Sequence, residues 1–105
     1  MSLNRYQQDA YAFCMPSGFT EDYLIAGLSA EAGEVAGKYA KYVRDDTSAD
    51  VLAEEMKKEL GDVLWFVAVL GAFYGFTLQD IADANIKKLS SRKQRNVLTG
   101  SGDDR

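Results

Sequence analysis

Glu31-Ala32-Gly33-Glu34-Val35 and, 28 positions later, Glu59-Leu60-Gly61-Asp62-Val63 are two copies of one pattern, and their surroundings repeat with them. Leu24, Leu28, Val35 and Tyr42 correspond under that offset to Leu52, Met56, Val63 and Leu70. Spacings of three, four and seven are those of one helix face, so both segments read as amphipathic helices with the same apolar stripe. At about 100° per residue, Glu31 falls within about 20° of the Leu24 and Tyr42 line, and Glu59 bears the same relation to Leu52 and Leu70. Glu34 and Asp62 lie about 60° further round, at the stripe's edge. Each helix therefore turns two carboxylates toward one side, and the glutamates are expected to face the core.

The remaining sequence fits around this pair. No long stretch alternates with period two, so the fold class is all-α. A first helix is expected from about Asn4 to Met15, ended by Pro16 and Gly18. Thr20 followed by Glu21 and Asp22 predicts the start of a second helix, running to about Arg44. The polar stretch Asp45 to Asp50 predicts a turn, with a third helix from about Val51 to Tyr74 stopped by Gly75. Thr77 and Asp80 have capping-box spacing for a fourth helix, Leu78 to about Arg92. Residues 96–105, closing in Gly100-Ser101-Gly102-Asp103-Asp104-Arg105, read as an irregular tail. At 105 residues, with 47% hydrophobic and 27% charged, one domain spanning 1–105 is expected, a four-helix bundle with antiparallel central helices.

Composition excludes several chemistries. There is no histidine, which removes Ser-His-Asp and Cys-His catalysis and every zinc-finger pattern, and Cys14 has no second cysteine to pair with. A net charge of −4 argues against nucleic acid and anionic membranes as partners. The longest uncharged run, Val63 to Gln79, is 17 residues and is interrupted by Gly71, Tyr74, Gly75 and Thr77, which is too short to span a bilayer. The first ten residues carry Arg5 and Asp9 and no apolar signal core, so a cytoplasmic location is expected.

Four converging carboxylates repel one another, and burying each costs several kcal/mol, so a compensating cation is required. Lys38, about 20° from Glu31 and about 40° from Glu34 in projection, supplies only part of it. An all-oxygen donor set suits a hard divalent ion, Mg²⁺ or Mn²⁺, over zinc or copper. Asp45 to Asp50 lacks the central glycine and terminal glutamate of an EF-hand loop. Gly33 and Gly61, each about 1 kcal/mol worse than alanine in a helix, predict close backbone approach beside the ion.

With Glu31, Glu34, Glu59 and Asp62 forming Glu-x-x-Glu, 24 residues, then Glu-x-x-Asp, the chain resembles the MazG-like nucleoside triphosphate pyrophosphohydrolases. These are all-α enzymes related in fold to dimeric dUTPases and dCTP pyrophosphatases. Gly27-Leu28-Ser29-Ala30-Glu31, Glu59-Leu60-Gly61-Asp62-Val63-Leu64-Trp65, Asn85-Ile86-Lys87-Lys88-Leu89 with Arg92, and the closing Gly-Ser-Gly-Asp-Asp-Arg resemble blocks of that family in the same order. The resemblance implies hydrolysis of a nucleoside or deoxynucleoside triphosphate to the monophosphate and pyrophosphate, by water attack at the α-phosphorus. It implies Glu31, Glu34, Glu59 and Asp62 as metal ligands and catalytic groups, Asn85 as a contact to metal or phosphate, Lys88 and Arg92 as phosphate contacts, and nucleotide-pool housecleaning as the role; Lys38, beside the carboxylates, is expected to contact phosphate as well.

Asn85, Lys88 and Arg92 share one face of the fourth helix, whereas Lys87 and Lys93 read as charge favoured near a helix C-terminus. Trp65 projects away from the carboxylates and is expected to pack between helices. Tyr6, Tyr11 and Phe13 read as core residues with a base pocket as the alternative, and Cys14 as a small buried hydrophobe. Val63 to Leu70 is apolar all round, more than a small single chain can bury, which predicts a homodimer or a dimer of dimers. Two other functions compete: phosphoribosyl-ATP pyrophosphohydrolase within the same fold, and a non-enzymatic helical module whose acids hold a structural metal or partner lysines.

Overall fold

The computed structural model describes residues 1–105. Four helices and no strand are present: α1 Leu3–Ala12, α2 Glu21–Asp45, α3 Ala49–Phe73 and α4 Leu78–Gln94, with a single 3-10 turn at Pro16–Gly18. Each α-helix begins on a hydroxyl cap. Ser2, Thr20 and Ser48 accept from the amides of Arg5, Tyr23 and Val51, and Thr77 forms a reciprocal capping box with Asp80. Such caps are worth about 1 kcal/mol each.

The differences from the expected boundaries have local causes. α1 stops at Ala12, not Met15, because Met15 precedes Pro16 and is driven to extended backbone, φ −72° and ψ 147°. α3 begins at Ala49, not Val51, because Ser48 supplies the cap, which shrinks the polar connection to three residues with Asp46 left-handed at φ 51°. Gly75 ends α3 as expected: at φ 81° it lets the Phe76 amide reach back to the Gly71 carbonyl at 2.8 Å.

The α2–α3 pair forms the main packing surface. Leu24 is wholly buried against Phe66 and Val69, flanked by Leu28, Trp65 and Leu70. The ring of Phe66 closes on Gly27, where any Cβ would collide with it. α1 packs on α3 and on the start of α4 through Ala10, Ala68 and Leu78. The buried Gln7 ties three elements together, donating to the carbonyls of Ala68 (2.9 Å) and Phe76 (3.0 Å) and accepting from the Leu78 amide (3.1 Å). Trp65 packs between helices as expected and donates to the Ala10 carbonyl at 3.0 Å. α4 then leaves α3 at 101°. No single helix is long and apolar enough to cross a membrane.

Several expectations about packing are corrected. A Cβ added at Gly33 or Gly61 would meet nothing within 4 Å, so no backbone closes on either glycine within the chain; the close approaches fall at Gly27 and Gly71. Phe13 is 80% exposed and Tyr11 half exposed, the latter meeting Phe19 edge-on, so of the three α1-region aromatics only Tyr6 packs on the core. Cys14 is only half-buried, because the early end of α1 puts it in the turn and not on a helix face.

The chain buries little of itself. Its surface is 7569 Å², against about 5,800 Å² for a folded monomer of this mass. Its radius of gyration is 16.5 Å, against about 13 Å for a compact domain of this length. Leu60, Leu64, Val43 and Ile86 are among the large apolar side chains left exposed.

Candidate metal centre

Glu31 on α2 and Glu59 and Asp62 on α3 bring their carboxylates together, with one oxygen from each within 4.8 Å of the others. The helix period explains the arrangement. Glu59 and Asp62, three residues apart, share a face of α3, and Glu31 stands opposite them because both glutamates ride the apolar stripes that pack α2 on α3. Glu31 and Glu59 are half-buried and Asp62 is exposed, so the cluster opens to solvent on the Asp62 side.

Lys38 meets the cluster through Glu59, Nζ to Oε1 at 3.9 Å, and not through Glu31 or Glu34 on its own helix. Glu34 is exposed and outside the three-carboxylate group. Its charge is still felt: burial first, then Asp62, Glu59 and Glu34, push the Glu31 carboxyl above the ordinary carboxylate range. Tyr6 on α1 faces the same site, its phenol pushed up by burial and then by the Asp62 charge.

Three carboxylates against one lysine leave two negative charges, and all the donors are oxygen. The cluster thus fits a hard divalent cation in both charge and ligand type. The site lies outside the largest groove, an open channel of about 700 Å³ along α4 that includes Asn85 and Lys88. A smaller groove of about 460 Å³ joins the Phe13–Gly18 turn to Tyr23 and Trp65.

The fourth-helix residues do not join the carboxylates within the chain. With about 16 Å of α3 between Asp62 and its end and about 15 Å of α4 to Lys88, the 101° turn puts the two groups on the order of 20 Å apart. Asn85 is exposed, Lys88 half-buried and Arg92 only 6% exposed. Lys88 and Arg92 both hold Asp103 of the tail, Nζ to Oδ1 at 3.1 Å and Nη2 to the Asp103 carbonyl at 2.7 Å. The Asp103 contacts are not foreshadowed by any sequence spacing, because they depend on a loop that Arg105 closes.

A helix-only fold with an oxygen-rich acidic centre between two long helices is the arrangement expected of an all-α nucleotide pyrophosphohydrolase. Residues 19–97 match the MazG nucleotide pyrophosphohydrolase domain, and the chain belongs to that family. The match takes in all eight candidate residues and ends before the closing Gly-Ser-Gly-Asp-Asp-Arg. The Gene 37 protein of Mycobacterium phage L5 is 42% identical over 87 residues, 79% of this chain and 75% of that protein. The uncharacterized protein YvdC of Bacillus subtilis (strain 168) is 36% identical over 85 residues, 71% of this chain and 80% of that protein. No solved structure matches the chain.

Proposed function

We propose that the protein hydrolyses nucleoside or deoxynucleoside triphosphates to the monophosphate and pyrophosphate, with Mg²⁺ or Mn²⁺ held by Glu31, Glu59 and Asp62 and assisted by Glu34. The observation that carries this reading is the convergence of three carboxylates on one point with a single lysine to offset them. When bound, the ion neutralises phosphate oxygens and acidifies water at the site. The chain's own groups do the rest. Glu59 is steadied by Lys38, whose ammonium also offers a donor to a phosphate. A carboxylate of the cluster not fully engaged by the ion would take the proton of the attacking water.

The two central helices run antiparallel in this account, supported by Leu24 near the start of α2 meeting Phe66 and Val69 near the end of α3. The protein self-associates as a dimer or a dimer of dimers, supported by about 1,700 Å² of surface beyond the monomer expectation and by the unburied apolar side chains of α2 and α3. Asn85 and Lys88, remote from the carboxylates of their own chain, then reach substrate phosphates at the site of another copy. A cytoplasmic place in nucleotide-pool housecleaning follows from the proposed chemistry, with neither nucleic acid nor membrane as a partner.

Phosphorus NMR of each ribo- and deoxynucleoside triphosphate with the protein and Mg²⁺, beside Glu59→Gln, tests the reading. Monophosphate and pyrophosphate from the wild type alone are expected. Orthophosphate as the initial product, or no turnover, contradicts it. Turnover confined to phosphoribosyl-ATP moves the assignment to that related pyrophosphohydrolase.

A further inference from the structure

The tail is a built loop. Arg105 closes it on itself, donating to the carbonyls of Val97 (3.0 Å), Leu98 (3.0 Å) and Gly102, while Arg95 donates to the Arg105 carbonyl at 2.8 Å. Gly100 and Gly102 take φ of 128° and 86°, backbone that other residues rarely adopt, and so permit the reversal. The loop is anchored beneath by Arg92, buried against the Asp103 carbonyl.

Those backbone anchors do not involve the Asp103 carboxylate, which has a different position and a different strength. It lies 3.1 Å from Lys88 Nζ and 3.3 Å from Arg92 Nη2, yet the Asp103 side chain is 81% exposed and that of Lys88 40%. Exposed ion pairs are weak and exchangeable. Lys88 also borders the open α4 groove beside Asn85, so an incoming anion reaches its ammonium without disturbing the loop.

We infer that Asp103 is a resident anion on Lys88 and Arg92, a built-in competitor that a ligand's phosphate displaces when it binds α4. A phosphate brings more charge and more acceptor oxygens than the single carboxylate, so the exchange favours it. Both cations hold the Asp103 carboxyl below its ordinary range, so the competitor is ionised at neutral pH. The loop backbone stays anchored by Arg92 and Arg105 while the Asp103 side chain swings away. The inference rests on the reading of Lys88 as a phosphate contact, and its test is binding, which needs no turnover.

The test is calorimetric titration of inorganic tripolyphosphate into the full chain without divalent metal, comparing wild type, Asp103→Asn, Lys88→Met and the double variant. Asp103→Asn is expected to bind about five-fold more tightly, the scale of one exposed ion pair. That gain should vanish when Lys88 is already Met. Unchanged or weaker binding by Asp103→Asn, an equal gain in the Lys88→Met background, or no tripolyphosphate binding by any variant overturns the inference. A thermal midpoint of Asp103→Asn lowered by no more than the loss of an exposed ion pair, and by less than that of Arg92→Met, establishes that the loop anchors survive. A chain that turns over no triphosphate but shows the Lys88-dependent gain leaves this inference standing and removes the proposed function; normal turnover without the gain does the reverse.

Discussion

The acidic centre between α2 and α3 and the basic corner of α4 are built on opposite principles. The acidic centre gathers three carboxylates around a single lysine and leaves its charge unbalanced. The basic corner carries its own counter-ion, since Asp103 sits on both Lys88 and Arg92. One region is incomplete without a cation from outside; the other is complete until a stronger anion arrives. The chain folds with an electrostatic deficit where the chemistry is proposed and with a satisfied pair at its edge, which is the pattern expected when function and stability make different demands on charge.

The largest effect that sharpens this contrast is on turnover. Glu59→Gln keeps the side-chain shape but removes one ligand and the partner of Lys38, and should lower kcat about 10³-fold with little change in fold, measured by pyrophosphate release and circular dichroism. Mg²⁺ removal should have the same consequence. Next in size is Arg92→Met, which strips the buried donor from the Asp103 carbonyl and should cost about 1–3 kcal/mol, read from chemical denaturation, with faster amide exchange in residues 97–105. If both variants damage stability equally, the distinction between an unbalanced centre and a satisfied corner is broken.

A smaller effect separates chain from assembly. Gly61→Ala should raise stability by roughly 0.5–1 kcal/mol, because alanine is the better helix former and nothing within the chain lies within 4 Å of the added methyl. A loss of stability that is greatest at high protein concentration and closes on dilution would put a second copy's backbone against that glycine.

The smallest effects are in pH dependence, and they have opposite signs in the two regions. The Glu31 carboxyl is raised in the folded chain, so its contribution to stability is full below its unfolded value and is lost as pH rises through the folded one. The Asp103 carboxyl is lowered, so its contribution is present above the unfolded value and is lost as pH falls through the folded one. Without metal, Glu31→Gln should flatten the first dependence and Asp103→Asn the second, measured as thermal midpoints across the carboxylate range. Added Mg²⁺ should raise the midpoint near neutrality in the wild type and far less in Glu31→Gln.

The acidic centre was legible in the sequence because a helix converts spacing directly into direction. Glu31, Glu59 and Asp62 share a register with Leu24, Leu52 and Leu70, and a period of 3.6 turns that register into a face. Helix starts were equally readable, since Thr20 and Thr77 act through bonds only three residues long. Contacts between elements were not. The partner of Lys38 is Glu59, across the helix pair, and helical projection could offer only Glu31 and Glu34 on its own helix. Gly33 and Gly61 drew attention as mid-helix glycines, but Gly27 and Gly71 are the ones against which Phe66 and Ile81 pack, a matter of tertiary placement. The grip of Asp103 on Lys88 depends on a loop closed by Arg105, and no periodicity encodes it. The 101° turn after α3, which carries Asn85 and Lys88 away from the carboxylates, is likewise invisible in a helical projection.

The central claim, that Glu31, Glu59 and Asp62 together form a divalent-cation site, is tested most directly by titrating Mn²⁺ into the full chain and following free Mn²⁺ by electron paramagnetic resonance. Saturable binding that is weakened about ten-fold or more by Glu59→Gln, and competed by Mg²⁺, is the predicted result. Binding that is absent, or unchanged in Glu31→Gln, Glu59→Gln and Asp62→Asn alike, contradicts the account.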